Sequence, residues 1–399
     1  MLKKTQIVIV GGGFGGLSTT QELLKHNLNA EITLIDLKNY FLFTPLLHEI
    51  ATGSLDENLI VTAYKQIFKN EDVNILIGEI KEIDIDKKII SINDTNIPYD
   101  ILILATGAKA IKSPYSGKNI IELKMVQDGI AIKSMILDLM DCIDSGQHKT
   151  IKLKFAVVGG GPTGIEMTLD LADYVRNSLL KIYKKPDLQD IEIFLITKDD
   201  DILLRMHPSL RKATLTRLDK FGVKLITNCE IHNIQNNRIL TNNKVIEADL
   251  IIWTIGVKAQ YPLLPNSIER DEKGKLIVDD FLKLNNSSSI YCVGDLVSGY
   301  PMDAQAATWQ GKYLGKNITR LLKKQKMAYK QYKPLGELIS LGGQYAAGRA
   351  FGITMSGWFV WFIWRTTYFF RIPTTRKKIA VGVNWFLNLF STRDLTNLK

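Results

Sequence analysis

Two glycine-rich runs in this 399-residue chain have the residue types and spacing that bind the pyrophosphate of a dinucleotide. The first occupies residues 11–16 and contains Gly11, Gly13, Phe14, Gly15 and Gly16. The second occupies residues 159–164 and contains Gly159, Gly161, Pro162, Thr163 and Gly164. Glycines let the backbone approach a pyrophosphate, and the N–H groups and dipole at a helix start stabilise its charge. Two dinucleotide sites in one polypeptide indicate electron transfer.

The first run has the flanking elements that such a site needs. Residues 6–10 read as a buried parallel strand, residues 17–26 as a helix and residues 31–36 as the next strand. That strand ends at Asp36, 20 residues after Gly16, where a carboxylate can accept both hydroxyls of an adenosine ribose. We therefore predict that Asp36 binds the ribose of the first dinucleotide.

The second run repeats this pattern without the acid. The predicted strand, helix, helix extension with loop, and second strand lie at residues 155–158, 165–176, 177–190 and 191–196. Thr197 and Lys198 then stand where an NADH-specific site would carry Asp or Glu. A lysine there can pair with a 2′-phosphate, so NADPH is predicted to be accepted. One of the three aspartates at residues 199–201 can reach the ribose instead, which leaves NADH open as well.

Two further segments, one in each predicted domain, have the same pattern of a buried strand followed by a turn of small residues. Residues 101–108 read as a buried strand followed by small residues, among them Thr106 and Gly107. Residues 250–256 read as the counterpart strand and end at Gly256. Small residues at such a turn permit close approach to a flavin. The chain therefore contains an internal repeat of one nucleotide-binding domain.

An acid-bearing turn follows the second domain. Residues 289–295 read as a strand that delivers Gly294 and Asp295 to a turn, where the acid suits the ribityl chain of FAD. Because this turn comes after the second domain, the first domain must be discontinuous. We predict an α/β fold with a discontinuous FAD domain, an inserted NAD(P)H domain, both Rossmann-like, and a C-terminal membrane-association or dimerisation region. In chain order, the predicted segments are residues 1–112 (FAD), 113–257 (NAD(P)H), 258–330 (FAD) and 331–399 (C-terminal).

The net charge of +10 is concentrated in two regions. Residues 310–335 contain eight Lys or Arg and no acid, while residues 358–370 contain eight aromatic side chains and lie among cations that include Arg365. Aromatic and basic residues together are typical of helices that lie on an anionic membrane. Residues 357–364 are too short to span a bilayer, which requires about 20 apolar residues. Residues 379–390 form a second amphipathic pattern.

Other interpretations of these regions stay open. The aromatic tail can instead form a dimer interface or pack on the domains, and the first basic cluster can be a solvated helix face. No motif supports nucleic-acid binding. The three cysteines, Cys142, Cys229 and Cys292, have no spacing typical of an iron–sulfur cluster or a redox-active disulfide, so inert buried thiols are expected. The N-terminal lysines and short apolar run lack a cleavage site, so we expect an uncleaved, unexported protein.

Taken together, these residues resemble the type II NAD(P)H dehydrogenases, a family of single-chain FAD enzymes that reduce membrane quinones without pumping protons. Beyond the two glycine runs and Gly294-Asp295, the resemblance rests on residues 39–47 and 51–53, on Glu166, and on the segment 304–310 that begins with Ala304 and Gln305. Residues 381–385 and 393–394 are similar to the cyanobacterial and plastid branch, which includes prenylnaphthoquinone reductases. Thr197, in place of the family's acid, departs from the pattern.

The resemblance implies a mechanism. Hydride passes from NADH or NADPH to FAD, and two electrons pass on to a quinone of the ubiquinone, menaquinone, plastoquinone or phylloquinone type. Glu166 would act near the nicotinamide, although it can instead be a solvated acid in the first turn of its helix. Ala304 and Gln305 would lie in the flavin and quinone segment. A homodimer is expected, peripheral to the membrane on a cytoplasmic, stromal or matrix-equivalent face.

Three other functions fit parts of the pattern. A soluble ferredoxin or rubredoxin reductase explains the basic patch as a docking surface but not the aromatic tail. Sulfide:quinone reductase shares the membrane tail, but its chemistry needs a cysteine pair at the flavin. A flavin-bearing redox sensor would use both nucleotide sites without turnover.

Overall fold

The computed structural model describes residues 3–93, 95–147, 152–260, 264–265, 267–285 and 287–397. In chain order the strands are β1 (Thr5–Val10), β2 (Ala30–Asp36), β3 (Tyr40–Leu42), β4 (Val61–Ala63), β5 (Asn74–Ile77), β6 (Ile80–Asp84), β7 (Ile89–Ile92), β8 (Thr95–Pro98), β9 (Ile101–Leu104), β10 (Ala108–Ala110), β11 (Ile120–Glu122), β12 (Leu153–Val158), β13 (Ile191–Ile196), β14 (Lys224–Ile226), β15 (Ile231–Gln235), β16 (Arg238–Thr241), β17 (Val245–Glu247), β18 (Leu250–Trp253), β19 (Val257–Ala259), β20 (Ile290–Cys292), β21 (Glu337–Ser340), β22 (Ala346–Ala350) and β23 (Ile353–Gly357). The α-helices are α1 (Phe14–Leu24), α2 (Leu47–Ala51), α3 (Tyr64–Ile67), α4 (Val126–Asp144), α5 (Pro162–Tyr174), α6 (Leu180–Ile182), α7 (Pro208–Lys220), α8 (Ala304–Leu322), α9 (Trp358–Arg371) and α10 (Thr375–Leu387).

The chain divides into two compact units. The first comprises Met1–Leu42, Val61–Lys109 and Val257–Pro334, and the second comprises Phe43–Ile60, Ala110–Gly256 and Leu335–Lys399. The sequence-based boundaries differ from this division in two places, because residues 43–60 and the C-terminal region both belong to the second unit. The physical reason is a set of polar contacts with α5 that hydropathy patterns do not report. Thr52, for example, donates a hydrogen bond to Asp170 at 2.8 Å.

The first unit is built on a five-stranded parallel sheet with the order β20-β9-β1-β2-β5. Helices α1 and α8 pack closely against each other, and Gly311 makes this possible, since a Cβ there would lie 2.4 Å from the Gly15 carbonyl oxygen. A three-stranded antiparallel sheet, β6-β7-β8, and a short ribbon, β3-β4, complete this unit. Strands β1, β2, β9 and β20 of the parallel sheet are largely buried, whereas the edge strand β5 is mostly exposed.

The second unit repeats the arrangement with the parallel order β11-β18-β12-β13-β14 and an antiparallel sheet, β15-β16-β17. Val158 pairs with Ile196 in this sheet as Val10 pairs with Ile35 in the first. The predicted α/β fold with two Rossmann-like domains is therefore confirmed. After α5 the helix continues through a π-helical turn, Val175–Leu179, into α6, which matches the predicted extension.

The C-terminal region of the second unit begins with the antiparallel sheet β21-β22-β23 and continues into α9 and α10. A proline at residue 373 follows the end of α9, and the Thr374 hydroxyl caps α10 by accepting the Lys377 N–H group. Among the described residues, no helix combines the length and apolar character needed to cross a membrane.

Candidate functional sites

The first glycine turn forms an anion cradle at the start of α1. Gly13 is the N-cap of this helix and supplies no side-chain hydrogen bond, so the first-turn N–H groups lack a side-chain cap. A Cβ on Gly13 would meet no described atom within 4 Å, which leaves open space at the turn. Gly16 is required for a different reason, since a Cβ there would lie 1.8 Å from the Gly11 carbonyl oxygen. This geometry fits the pyrophosphate of a dinucleotide.

Asp36 lies beside this cradle at the end of β2. Its Oδ2 accepts the Gly12 N–H group at 2.6 Å and the Tyr64 hydroxyl at 2.9 Å, and its Oδ1 accepts the Lys38 N–H group at 3.0 Å. Burial, together with the charge of Asp36, raises the pKa of Tyr64 well above its usual value, so the phenol stays a proton donor. A carboxylate has about four lone-pair sites, which leaves capacity for a ribose hydroxyl. Sequence patterns gave no signal for Tyr64.

The turn of the first unit that contains Gly294 and Asp295 is held in place by a side chain of α8. Gly294 has a left-handed backbone (φ +83°), and its N–H group donates to Oε1 of Gln310. Gln310 is fully buried, and its Nε2 has no hydrogen-bond partner among the described residues. An unsatisfied buried donor beside the predicted FAD turn fits a bound polar group. Asp295 follows in the same turn and is partly buried.

Two other predicted groups of the first unit occupy turns at strand or helix ends. The Thr106 hydroxyl donates to the carbonyl of Gln260, and Gly107 follows it with φ +67°. Ala304 and Gln305 are the first residues of α8, whose N-cap, Asp303, accepts the N–H group of the third helical residue at 2.7 Å. Both predicted residues are partly buried. The structure therefore places Thr106 and Gly107 between β9 and β10, and Ala304 and Gln305 at the start of α8, and their roles stay predictions.

The glycine turn of the second unit has the same construction as the first. Helix α5 begins at Pro162 behind Gly161, which again supplies no side-chain cap. Gly159 has φ +128°, and a Cβ on Gly164 would lie 1.9 Å from the Gly159 carbonyl oxygen. Gly256, with φ +55°, occupies the position that Gly107 has in the first unit. Thr163 is the second residue of α5. The uncapped N-terminus of this helix suits a second pyrophosphate.

Thr197 stands in the place that Asp36 has in the first unit. The Gly159 N–H group donates to Ile196 as the corresponding glycine of the first unit donates to Ile35, so the residues that follow are equivalent. Thr197 is buried, and its hydroxyl accepts the Asp199 N–H group at 3.3 Å. This position therefore offers no carboxylate to a ribose.

The charged residues after Thr197 differ in their availability. Asp201 forms an ion pair with Arg211 at 2.8 Å. Lys198, by contrast, is exposed at the end of the strand, and the next two aspartates are exposed as well. An exposed cation at this place is available to a 2′-phosphate, while Asp201 is already engaged.

Glu166, on α5, is held by a contact with β21. Its Oε1 accepts the N–H group of Ser340 at 3.2 Å. Burial raises the pKa of Glu166 to about 7, a shift that His48 opposes and that Asp170 and Glu49 increase. Glu166 is not the solvated first-turn acid of the alternative interpretation, since it is the fifth residue of the helix and is partly buried. A carboxyl with such a pKa exchanges a proton near neutral pH.

A buried ion pair joins α2 to the two C-terminal helices. Arg365 of α9 donates to both carboxylate oxygens of Glu49 at 2.7 and 2.9 Å, and the indole of Trp385 in α10 donates to the same carboxylate at 3.0 Å. The side chains of Glu49 and Arg365 are only 3% and 17% exposed. The interpretation of Arg365 as a membrane-flanking cation was therefore wrong, because its charge is neutralised inside the unit.

A second ion pair fixes the chain after α10. Arg393 donates to Asp170 at 3.1 Å and also pairs with Asp173. Burial alone would raise the pKa of Asp170, but Arg393 and the neighbouring cations, with the Thr52 hydroxyl, hold it below its usual value. The C-terminal region is thus attached by two arginine–carboxylate pairs, one from the middle of α9 and one from the chain after α10.

The outward faces of α9 and α10 form a surface that we call the C-terminal apolar surface. Trp361 and Trp364 of α9 and Val381 and Trp385 of α10 face inward and are buried. The outward side chains are each more than half exposed: Trp358, Phe359, Phe362, Phe370, Ile379, Val383, Phe386, Leu387 and Phe390. Exposed apolar patches of this kind mark membrane or protein interaction sites.

Comparison with known proteins gives consistent matches along the chain. A family model described as pyridine nucleotide-disulphide oxidoreductase matches residues 5–311. The type II NADH:quinone oxidoreductase of Haemophilus influenzae is 29% identical, over 94% of this chain and 95% of that protein. The demethylphylloquinone reductase of Synechocystis sp. is 26% identical, over 96% of each. The structure of NDH2 from Plasmodium falciparum is similar with a TM-score of 0.87 and 20% identity, covering 98% of this chain and 100% of that one.

Proposed function

The chain belongs to the pyridine nucleotide-disulphide oxidoreductase family, and we propose that it is a FAD-dependent type II NAD(P)H:quinone oxidoreductase. The observation that carries this proposal is the pair of glycine cradles, one beside Asp36 and the other beside Thr197. Relatives that match nearly the whole chain are named type II NADH:quinone oxidoreductases. When bound, FAD supplies the two-electron chemistry between NAD(P)H and the quinone.

The residues of the chain then have distinct tasks. The turn at residues 11–16 binds the FAD pyrophosphate, Asp36 accepts a ribose hydroxyl and Asp295 binds the ribityl chain. The turn at residues 159–164 binds the pyrophosphate of NAD(P)H. Glu166 holds a proton that it can exchange near neutral pH, because burial keeps its pKa close to 7. Gln305 lies in the segment that we assign to the quinone side.

A steady-state assay tests the proposed reaction. The purified protein should be yellow and should oxidise NAD(P)H with a short-chain quinone as the acceptor. Sulfide as the donor should give no turnover, since the three cysteines are free thiols and burial raises the pKa of Cys292 above its usual value. Ferredoxin as the acceptor should give no turnover either. Flavin reduction by NAD(P)H without quinone turnover would instead favour a redox sensor.

Membrane attachment is the second part of the proposal. The C-terminal apolar surface supports peripheral binding to an anionic membrane on a cytoplasmic, stromal or matrix-equivalent face. The exposed cations of residues 310–335 support the same partner. The homodimer and the choice among ubiquinone, menaquinone, plastoquinone and phylloquinone stay predictions.

Cofactor preference provides a separate prediction. We expect Lys198→Glu to lower kcat/KM for NADPH roughly tenfold or more, because a charge-assisted bond of about 1.5 to 3 kcal/mol to the 2′-phosphate is lost. The kcat/KM for NADH should stay within about twofold, since NADH carries no such phosphate. Lys244→Glu is the matched control, because Lys244 is an exposed lysine in the turn after β16. Equal losses with both nucleotides would contradict the assignment.

A further inference from the structure

The hairpin β22-β23 presents a phenylalanine at its tip. The last cross-strand pair joins Ala350 to Ile353, so the tip consists of Phe351 and Gly352. Phe351 has φ +51° and Gly352 has φ +82°, and the phenyl side chain is 97% exposed. Two-residue hairpin tips with positive φ favour Asn, Asp or Gly, since a bulky side chain is strained there. Both the strain and the exposure at Phe351 are unfavourable for the isolated chain.

The exposed apolar character continues along β23. Ile353 and Met355 are 62% and 45% exposed and lie on one face of the strand, as alternate residues do. Thr354 lies on the opposite face, where its hydroxyl contacts that of Ser209 at 2.7 Å. Strand β23 leads directly through Gly357 into α9, the helix that begins the C-terminal apolar surface. The hairpin and that surface are therefore continuous along the chain.

The charge of residues 338–393 indicates which kind of partner binds the hairpin and the C-terminal apolar surface. Residues 338–393 contain no Asp or Glu and seven Lys or Arg. Two of the seven, Arg365 and Arg393, are neutralised by buried carboxylates. The other five leave the region positive, so two copies placed face to face would bring like charges together. An anionic lipid surface is complementary in both charge and apolar character.

We propose that the hairpin tip at Phe351 is a membrane-inserting wedge that acts together with α9 and α10. Insertion surrounds the phenyl ring with lipid, which offsets the strain at the tip. This inference rests on the proposed membrane attachment and adds a third inserted element to it. Insertion of this hairpin is separable from binding by α9 and α10, since the helices can bind the membrane while the hairpin tip stays in water.

A site-specific fluorophore tests insertion. In a Cys142→Ser background, where Cys229 and Cys292 are buried, Phe351→Cys is labelled with an environment-sensitive dye. We expect a blue shift on adding vesicles of phosphatidylglycerol and phosphatidylcholine, and quenching by lipids brominated in the acyl chain. The same dye at Asn243, an exposed turn residue of this unit, should stay in water.

A substitution at the tip separates an interface role from a structural one. Phe351→Asn should weaken vesicle binding about tenfold, because an apolar ring no longer leaves water. Its thermal midpoint should equal or exceed that of the wild type, since Asn tolerates positive φ. Leu188→Asn removes a 46% exposed apolar side chain outside the C-terminal apolar surface, so it should leave binding unchanged. A structural role would give the reverse pattern, with lower stability and unchanged binding.

The outcomes are distinguishable. Wild-type protein that does not sediment with anionic vesicles would overturn the membrane attachment itself. Vesicle-bound protein whose dye at position 351 remains in water would overturn the wedge alone. A blue shift that depends on protein concentration without lipid would show that a second copy covers the tip, which would also overturn the wedge.

Discussion

We expect Glu49→Gln to lower the free energy of unfolding of the second unit by about 3 kcal/mol. The substitution keeps the shape of the side chain but leaves Arg365 as a buried charge without its carboxylate. Removing one partner of a buried ion pair costs more than the pair itself contributes, because the remaining ion stays desolvated. The indole of Trp385 also loses a charged acceptor.

Urea unfolding followed by tryptophan fluorescence measures this effect. Trp361, Trp364 and Trp385 surround the guanidinium of Arg365, at 5.1, 5.4 and 4.2 Å from their ring centres. The control is the double variant Glu49→Leu with Arg365→Met, which replaces both charges and should recover most of the lost stability. If the single and double variants unfold at the same urea concentration, the two side chains are not energetically coupled.

This ion pair also shows what the sequence cannot predict. Glu49 and Arg365 are 316 residues apart, and Glu49 and Trp385 are 336 residues apart. Hydrophobic periodicity reports the local face of one element, so a pair between distant segments leaves no pattern within either. An arginine inside an aromatic run has the same appearance whether it faces lipid headgroups or a buried carboxylate. That ambiguity explains the wrong interpretation of Arg365.

The dinucleotide turns were predictable for the opposite reason. A glycine turn, the strand before it and the helix after it are contiguous, so their geometry is encoded within about 30 residues. The structure has a strand, a glycine turn and a helix in both places, but the helices begin at Phe14 and Pro162, three residues before the predicted starts at residues 17 and 165. Tyr64 was not predictable, because it reaches Asp36 from a helix 28 residues away that has no nucleotide-binding signature.

The two units differ at the position that selects the ribose. Equivalent strand pairs place Asp36 and Thr197 at the same point of the repeated fold. One unit therefore has a carboxylate at this position, and the other has a buried hydroxyl followed by the exposed Lys198. The two glycine turns of the repeated fold thus have neighbours of different charge, which is the basis on which we assign a different nucleotide to each.

The largest effect on cofactor binding should follow from Asp36→Ala. We expect the variant to purify with little flavin and to bind added FAD about ten- to a hundredfold more weakly than the wild-type apoprotein. A hydrogen bond from a ribose hydroxyl to a charged acceptor is lost, at about 1.5 to 3 kcal/mol, and about 1.4 kcal/mol corresponds to tenfold. Titration of the apoprotein with FAD, followed by flavin fluorescence, measures the change.

Two variants separate ribose binding from folding. Thr197→Ala changes the equivalent position of the second unit and should leave FAD affinity unchanged, because we assign the other nucleotide to that unit. Asp36→Asn keeps a side-chain acceptor for the Gly12 N–H group and the Tyr64 hydroxyl, so its fold should persist while its FAD affinity falls, since the acceptor is no longer charged. Wild-type flavin content in Asp36→Ala would show that the ribose is held by other residues, and the acid at the end of β2 would then have only a structural role.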